Sequence, residues 1–291
     1  MDLSEIITEG EPLARHTYFR IGGPAKFFVR PRTKDELAAA LAKFAEDEEK
    51  TYILGGGTNM LISDNGIDGA VIRLGYAFDF CEFSEDSTRA VVGAGYTLAS
   101  VVRKSVERGL AGLEGVIGVP GTLGGAAIMN AGGKHGNVGD VIVSATVMDY
   151  DGTIRRMERD EIEFTYRSSN IEGIVLQAEL EFTRRDPREL SAKMKDVLQQ
   201  KRDSQPLSAK SAGCVFKNPP GQSAGALIDR LGFKGRTVGG AQVSAKHANF
   251  IINTGSARAA DVLALMEMIR GKVKSEFGVD LSPEIRLWGF D

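Results

Sequence analysis

Thr51-Tyr52-Ile53-Leu54-Gly55-Gly56-Gly57-Thr58-Asn59 is a short apolar and β-branched run that ends on three consecutive glycines and two polar side chains. Thr, Tyr and Ile favour a strand, so the run predicts a strand that delivers the chain into a tight glycine turn. Three successive glycines let several backbone N–H groups point at one diphosphate, and Thr58 and Asn59 add side-chain donors. As a bare turn, the run carries more glycine than the geometry needs. It does not match the G-x-G-x-x-G fingerprint, and no clear helix follows it, which argues against a Rossmann unit.

Upstream, Thr33-Lys34-Asp35-Glu36 reads as a capping box opening a helix with Leu37, Leu41 and Phe44 on one face. Downstream, Gly69-Ala70-Val71-Ile72-Arg73-Leu74 reads as the next strand, so a first α+β lobe spans 1–75. Further on, Leu98, Val101, Val102 and Val106 mark a helix face ended by Gly109. Val141 to Tyr150 and Thr153 to Met157 flank Asp151-Gly152 as a hairpin, and Leu176, Ala178, Leu180 and Phe182 alternate with polar residues as in a sheet with one solvated face. These make a second lobe, 76–186. Asp186-Pro187 starts a helix with Leu190, Met194, Val197 and Leu198 that leads into a third unit, 187–291, where Ser223 to Gly232 and Ser256 to Gly278 read as helices. The fold class is α+β.

Composition narrows the function. The chain has 291 residues, enough for two or three lobes, with 26% charged and 42% hydrophobic residues. A formal net charge of −3 provides no global positive field for nucleic acid or an anionic membrane. No signal peptide and no bilayer-length apolar run is legible, so a cytoplasmic protein is expected. Cys81 and Cys214, far apart, suit free thiols in a reducing compartment, and His16, His135 and His247 stand singly, without the spacing of a metal site or a Ser-His-Asp order.

The 35 glycines concentrate where ligands would touch backbone. From Gly109 through Gly112, Gly115, Gly118 and Gly121 to Gly124 they recur at every third position, too briefly for a collagen repeat. Gly125-Ala126-Ala127-Ile128-Met129-Asn130-Ala131-Gly132-Gly133 then forms a small-residue surface able to lie against a planar or phosphate-bearing group; tight packing between lobes is the alternative. Ser211-Ala212-Gly213-Cys214-Val215-Phe216-Lys217-Asn218-Pro219 puts a thiol, an ammonium and an amide within a few residues of a glycine, although Val215 and Phe216 would also suit a plain strand.

Together with Thr17-Tyr18-Phe19-Arg20-Ile21-Gly22-Gly23, Tyr166-Arg167-Ser168-Ser169, Gly239 to Ser244 with His247-Ala248-Asn249, and Pro283-Glu284-Ile285-Arg286, these motifs resemble the UDP-N-acetylenolpyruvoylglucosamine reductase (MurB) family from about Thr17 onward. The resemblance implies a two-lobed FAD-binding unit of the vanillyl-alcohol-oxidase type and a C-terminal α+β substrate-binding domain. It implies NADPH-dependent reduction of the enolpyruvyl ether of UDP-N-acetylglucosamine to UDP-N-acetylmuramate in peptidoglycan precursor synthesis. The short stretch between Asn170 and Ser211 resembles the family form that lacks a tyrosine-bearing loop. FAD contacts are then expected at Arg20, Ile21 and Gly22, at Gly55, Gly56, Gly57, Thr58 and Asn59, at Gly118, Pro120, Gly121, Thr122, Gly124, Gly125 and Ala126, and at Asn130, Ala131 and Gly132. Substrate contacts are expected at Tyr166, Lys217, Asn218 and Asn249, with no metal, no nucleic acid or membrane partner, and a monomeric state.

Chemistry asks for the rest. An enolate developing beside a carboxylate needs preorganised positive charge, which Arg167 supplies. Glu284 suits an anionic centre only if it is protonated or shares a proton, and otherwise could pair with Arg286. The position the family gives to a proton-donating serine is Cys214 here; a thiol of reference pKa about 8.5 remains mostly protonated at neutral pH. An oxygen-using flavin oxidase, a nucleotide-sugar sensor and a purely structural protein are the competing readings. The first would often tether flavin through His or Cys, which the cradle before His135 lacks.

Overall fold

A computed structural model describes residues 2–85 and 87–290 and divides the chain into two compact units. The first comprises the stretch up to Glu9, Phe27–Gly56 and Gly69–Gln200; the second comprises Gly10–Lys26, Gly57–Asp68 and the chain from Lys201 onward.

In the first unit, the Thr33 hydroxyl accepts from the Glu36 N–H at 3.1 Å and opens helix α1 (Lys34–Glu46). The reciprocal half of the expected capping box is diverted, because the Glu36 carboxylate accepts from the Arg32 N–H and guanidinium instead. Arg32 and Arg32's hydrogen bonds hold the Glu36 carboxyl below the usual carboxylate range. Leu37, Ala40, Leu41 and Phe44 are buried against Val29, Ala70, Ile72 and Phe78, each large side chain contributing about 1.5–3 kcal/mol by leaving water. Thr51–Ile53 runs parallel to Ile67–Ile72, with Ile53 opposite Ile72, and so presents Gly55 just past the carboxyl end of a strand.

A second apolar cluster in this unit sits under an antiparallel sheet ordered Ile154–Glu158, Ile142–Met148, Ile174–Glu181, Arg89–Gly93, Cys81–Phe83. The hairpin expected at Asp151-Gly152 is there: Gly152 has φ +88° and the Thr153 N–H is held by the Asp151 carboxylate. Helix α2 (Leu98–Glu107) buries Leu98, Val101, Val102 and Val106, and short α3 (Leu123–Ile128) buries Leu123 and Ala127. Helix α4 (Pro187–Ser204) starts where expected, but its Val197 packs into this same cluster, so the first unit extends into the helix past the expected limit at 186.

The second unit is built around Phe19, Leu61, Val215, Phe216, Val243, Val262, Leu265 and Ile269. Thr237–Val238, Ala241–Val243 and Ile251–Asn253 form a three-stranded antiparallel sheet. Helix α5 (Ala224–Arg230) and helix α6 (Ala259–Phe277) pack on one another, and α6 ends on Gly278 in the left-handed conformation, φ +69°. Residues 57–68, expected in the first lobe, group here because Met60–Ile62 lies parallel to Arg286–Trp288.

Candidate functional site

The glycines of the first unit bring two loops into backbone contact. A Cβ on Gly56 would lie 2.9 Å from Gly121 Cα, and one on Gly55 would lie 3.1 Å from Thr122 Oγ1. Gly118 (φ +79°) and Gly121 (φ +125°) adopt conformations that other residues avoid. The N–H groups of Gly55, Gly56, Gly121, Thr122 and Gly125 find no acceptor among the described residues, and all five residues are at least partly exposed. The unpaired amides on the closely packed Gly55–Gly56 and Gly121 turns and at the start of α3 leave donors open to an anionic ligand such as the diphosphate of a dinucleotide. Pro120 is exposed beside them. Other expected cofactor positions are in packing: Gly124 and Ala126 are buried, a Cβ on Gly124 would meet Ala94 Cβ at 2.8 Å, and one on Gly132 would meet Gly136 O at 2.3 Å. Ala131 donates its N–H to Ala126 O at 2.8 Å.

Asn130 (φ +40°, 7% exposed) accepts from the Gly139 N–H through Oδ1 and donates from Nδ2 to Thr165 O at 3.0 Å. It thereby ties down a hairpin of Phe164–Thr165 and Ser168–Ser169, helped by Ser169 Oγ donating to Ile128 O at 3.1 Å. Tyr166 and Arg167 form the tip. Arg167 has φ +58°, a left-handed conformation that costs an L-residue about 1–2 kcal/mol, and its guanidinium lies 5.1 Å from the Tyr166 ring centroid. Arg20 (φ +58°) and Glu48 (φ +55°) adopt the same conformation.

In the second unit, the segments that carry Cys214 and Glu284 pair through their backbones although 70 positions separate the two residues in the chain. Glu284 donates its N–H to Val215 O at 2.9 Å, Lys217 donates its N–H to Ser282 O at 2.9 Å, and Cys214 lies opposite Phe250 in an antiparallel bridge. Val215 and Phe216 are buried, which leaves Cys214 and Lys217 half-buried; Gly213 (φ +78°) has nothing within 4 Å of where a Cβ would be. Asn218 is exposed and accepts from the Ala224 N–H at the start of α5.

The amides of Asn59 and Asn249 turn out to clamp backbone. Asn249, 2% exposed, accepts from Phe216 N–H at 3.1 Å through Oδ1 and donates from Nδ2 to Phe216 O at 2.8 Å, while its own carbonyl accepts from the Val215 N–H. Its N–H is taken by His247 Nδ1 at 3.2 Å, so the neutral imidazole carries its proton on Nε2. Burial, with Lys234 nearby, pushes His247 below its usual pKa. The expected substrate contact at Asn249 is thus replaced by a hold on the strand that carries Cys214. Asn59 donates from Nδ2 to Glu284 O at 3.1 Å, and its main-chain carbonyl accepts from the Arg286 N–H at 2.9 Å.

The loop before Asn59 is equally constrained: Gly57 (φ +63°) accepts from the Tyr18 N–H, and a Cβ on it would sit 2.0 Å from His16 O. Thr58 follows it, half-buried. Arg20 (φ +58°) donates to Arg15 O, Ile21 is buried and bonded to Thr17 Oγ1, and Gly22 (φ +139°) accepts from the Ala14 N–H. Arg167, carried by the other unit, is not grouped with Cys214 and Glu284.

The chain falls in the FAD-dependent class: a model described as "FAD binding domain" matches residues 25–158. The C-terminal domain of UDP-N-acetylenolpyruvoylglucosamine reductase matches residues 205–288. UDP-N-acetylenolpyruvoylglucosamine reductase 2 of Symbiobacterium thermophilum is 43% identical over 286 residues, covering 97% of this chain and 92% of that protein. Its counterpart in Syntrophotalea carbinolica is 44% identical over 282 residues, covering 96% and 93%. The crystal structure of the reductase (MurB) from Thermus caldophilus superposes with a TM-score of 0.84 at 38% identity, covering 96% of this chain and 98% of that one. The chain belongs to the UDP-N-acetylenolpyruvoylglucosamine reductase (MurB) family. Its fold is the expected α+β arrangement, an FAD-binding domain followed by the family's C-terminal domain.

Proposed function

We propose that the chain is an FAD-dependent oxidoreductase that uses NADPH to reduce UDP-N-acetylglucosamine enolpyruvate to UDP-N-acetylmuramate, a step of peptidoglycan precursor synthesis. The observation that carries this reading is the pairing of the Cys214 and Glu284 strands, Glu284 N–H to Val215 O at 2.9 Å, in a chain that also has an amide cradle suited to a dinucleotide. FAD, when bound, would supply the hydride-relay chemistry between NADPH and the terminal vinyl carbon of the substrate. The residues that would hold it are the Gly55–Gly56 and Gly57–Thr58 turns, the turns at Gly118 to Gly125, and the Arg20–Gly22 segment.

Everything else falls to side chains of the protein. Negative charge develops on the substrate beside its carboxylate, and Arg167 is assigned its neutralisation, since guanidinium forks match carboxylates. Cys214 delivers the proton to the second carbon through Sγ–H, so that hydride and proton together saturate the double bond. Glu284 is assigned to the same acidic side of the site, sharing a proton with the developing enolate. Tyr166, Lys217 and Asn218 are the substrate contacts in this reading. In this reading the lobes of the flavin unit divide near Gly75, with one apolar cluster joining Ala70 and Ile72 to Phe78, Met148, Ile174 and Leu176 across that limit. The enzyme acts as a cytoplasmic monomer on small molecules; two free thiols suit that compartment.

Anaerobic stopped-flow tests it. The flavin of the purified protein is reduced with NADPH and then mixed with UDP-N-acetylglucosamine enolpyruvate. Rapid flavin reoxidation is expected; reoxidation by oxygen alone would replace the reading with an oxidase.

A further inference from the structure

Asn59 follows the two residues, Gly57 and Thr58, that end the flavin turn, and its position invites the reading of one more cofactor contact. Its bonds run the other way. The main-chain carbonyl of Asn59 accepts from Arg286 N–H at 2.9 Å, and its Nδ2 donates to Glu284 O at 3.1 Å. The parallel ladder between Met60–Ile62 and Arg286–Trp288 begins at Arg286, so Glu284 lies beyond its reach. The Asn59 side chain extends the hold by two residues, to the backbone of Glu284 itself.

Glu284 is consequently gripped on both sides of its Cα, by its N–H on Val215 O and by its C=O on Asn59 Nδ2. The loop that supplies Asn59 has no slack. Gly57 O is bound by Tyr18 N–H at 2.9 Å, and the Gly57 backbone packs so closely on His16 O that a Cβ would fall 2.0 Å away. We propose that Asn59 is a positioning residue that fixes the Glu284 backbone to the Gly57–Thr58 turn and so sets the placement of the Glu284 carboxyl; the inference rests on the reductase reading. Displacements of about 1 Å in such a constellation lower rates about 100-fold.

The test uses the FAD-loaded full chain with Asn59→Ala and the near-isosteric Asn59→Asp, which removes the donor and keeps the shape should the alanine variant fail to fold. FAD affinity is read by fluorescence, reduction by NADPH and reoxidation by UDP-N-acetylglucosamine enolpyruvate by stopped-flow, each also in a Glu284→Gln background. FAD affinity and NADPH reduction are expected within about 3-fold of the parent, with reoxidation slowed about 10- to 100-fold. In the Glu284→Gln background, Asn59→Ala should change reoxidation by less than about 2-fold, because two residues acting through one group are not additive. Loss of FAD affinity, or equal slowing of both half-reactions, overturns the inference in favour of a cofactor contact. Full additivity with Glu284→Gln overturns it in favour of a general structural role. A parent protein that the enolpyruvyl compound does not reoxidise overturns the reductase reading itself, and is distinguishable from both.

Discussion

Asn249→Ala is expected to destabilise the protein far more than it weakens substrate binding. Asn249 is 2% exposed and satisfies both the N–H and the C=O of Phe216, at 3.1 and 2.8 Å. Phe216 is itself buried, so its N–H and C=O do not face bulk water. Leaving a buried backbone donor or acceptor unsatisfied costs about 1–3 kcal/mol per group, so the pair sums to about 2–6 kcal/mol. For a chain of this size that is a fall in Tm of about 3–10 °C. Asn249→Asp keeps the acceptor, loses the donor and buries a charge, and should fall in or above the same range. Thermal unfolding followed by circular dichroism, with parallel KM determination, reads both quantities. A Tm within about 2 °C of the parent, accompanied by a rise in KM for the nucleotide sugar, would refute the clamp and restore Asn249 to direct substrate contact.

Three other outcomes are expected. Cys214→Ala should leave flavin reduction by NADPH intact and lose most of the reoxidation by the enolpyruvyl substrate, about 100-fold, while Cys214→Ser retains much of it; equal loss in both half-reactions would assign Cys214 to folding or binding. Arg167→Gly should lower turnover at least about 100-fold without lowering Tm, since glycine relieves the left-handed strain at φ +58°; a large fall in Tm would show the arginine to be structural. Burial holds back the charged form of His247, with Lys234 opposing and Asp229 favouring it. Below about pH 6.5 the unfolded chain therefore binds a proton that the folded chain does not, and stability declines as pH falls through that value toward the lower folded pKa; above it neither state is charged. Urea midpoints at about pH 7.5 and pH 5.5 should show that decline shrinking in His247→Gln, and an unchanged slope would refute it.

The elements of this fold were legible wherever periodicity and caps agree. Leu98, Val101, Val102 and Val106 describe α2 down to its glycine stop, and Thr33 begins α1 as its side chain demands. What local pattern does not carry is pairing across long separations. Met60–Ile62 reads as a continuation of the first lobe, and nothing in its three apolar residues announces that its partner is Arg286–Trp288. The same limit applies to the site. Cys214, Glu284 and Arg167 stand out because a thiol, a carboxylate and a guanidinium are chemically conspicuous. The roles of Asn59, Asn130 and Asn249 were not legible, because an asparagine beside a glycine loop looks alike whether its amide meets a ligand or a peptide group 35 or 225 residues away. His247 gave a weaker signal, a lone histidine two residues before an asparagine. Its tautomer follows only from the bond between them.

The interleaving of the second unit has a consequence for how the protein is made. Residues 10–26 and 57–68 leave the ribosome early, yet the strand that Met60–Ile62 pairs with arrives only at 286–288. At about 5–20 residues per second, translation separates the two by about 10–45 s. Throughout that interval Met60, Leu61 and Ile62, at most 7% exposed in the finished protein, have no strand to lie against. An early apolar segment awaiting a late partner is a natural client for holding chaperones. Shifting rare codons into the stretch between residues 68 and 201 would lengthen that wait without altering a single residue of the product.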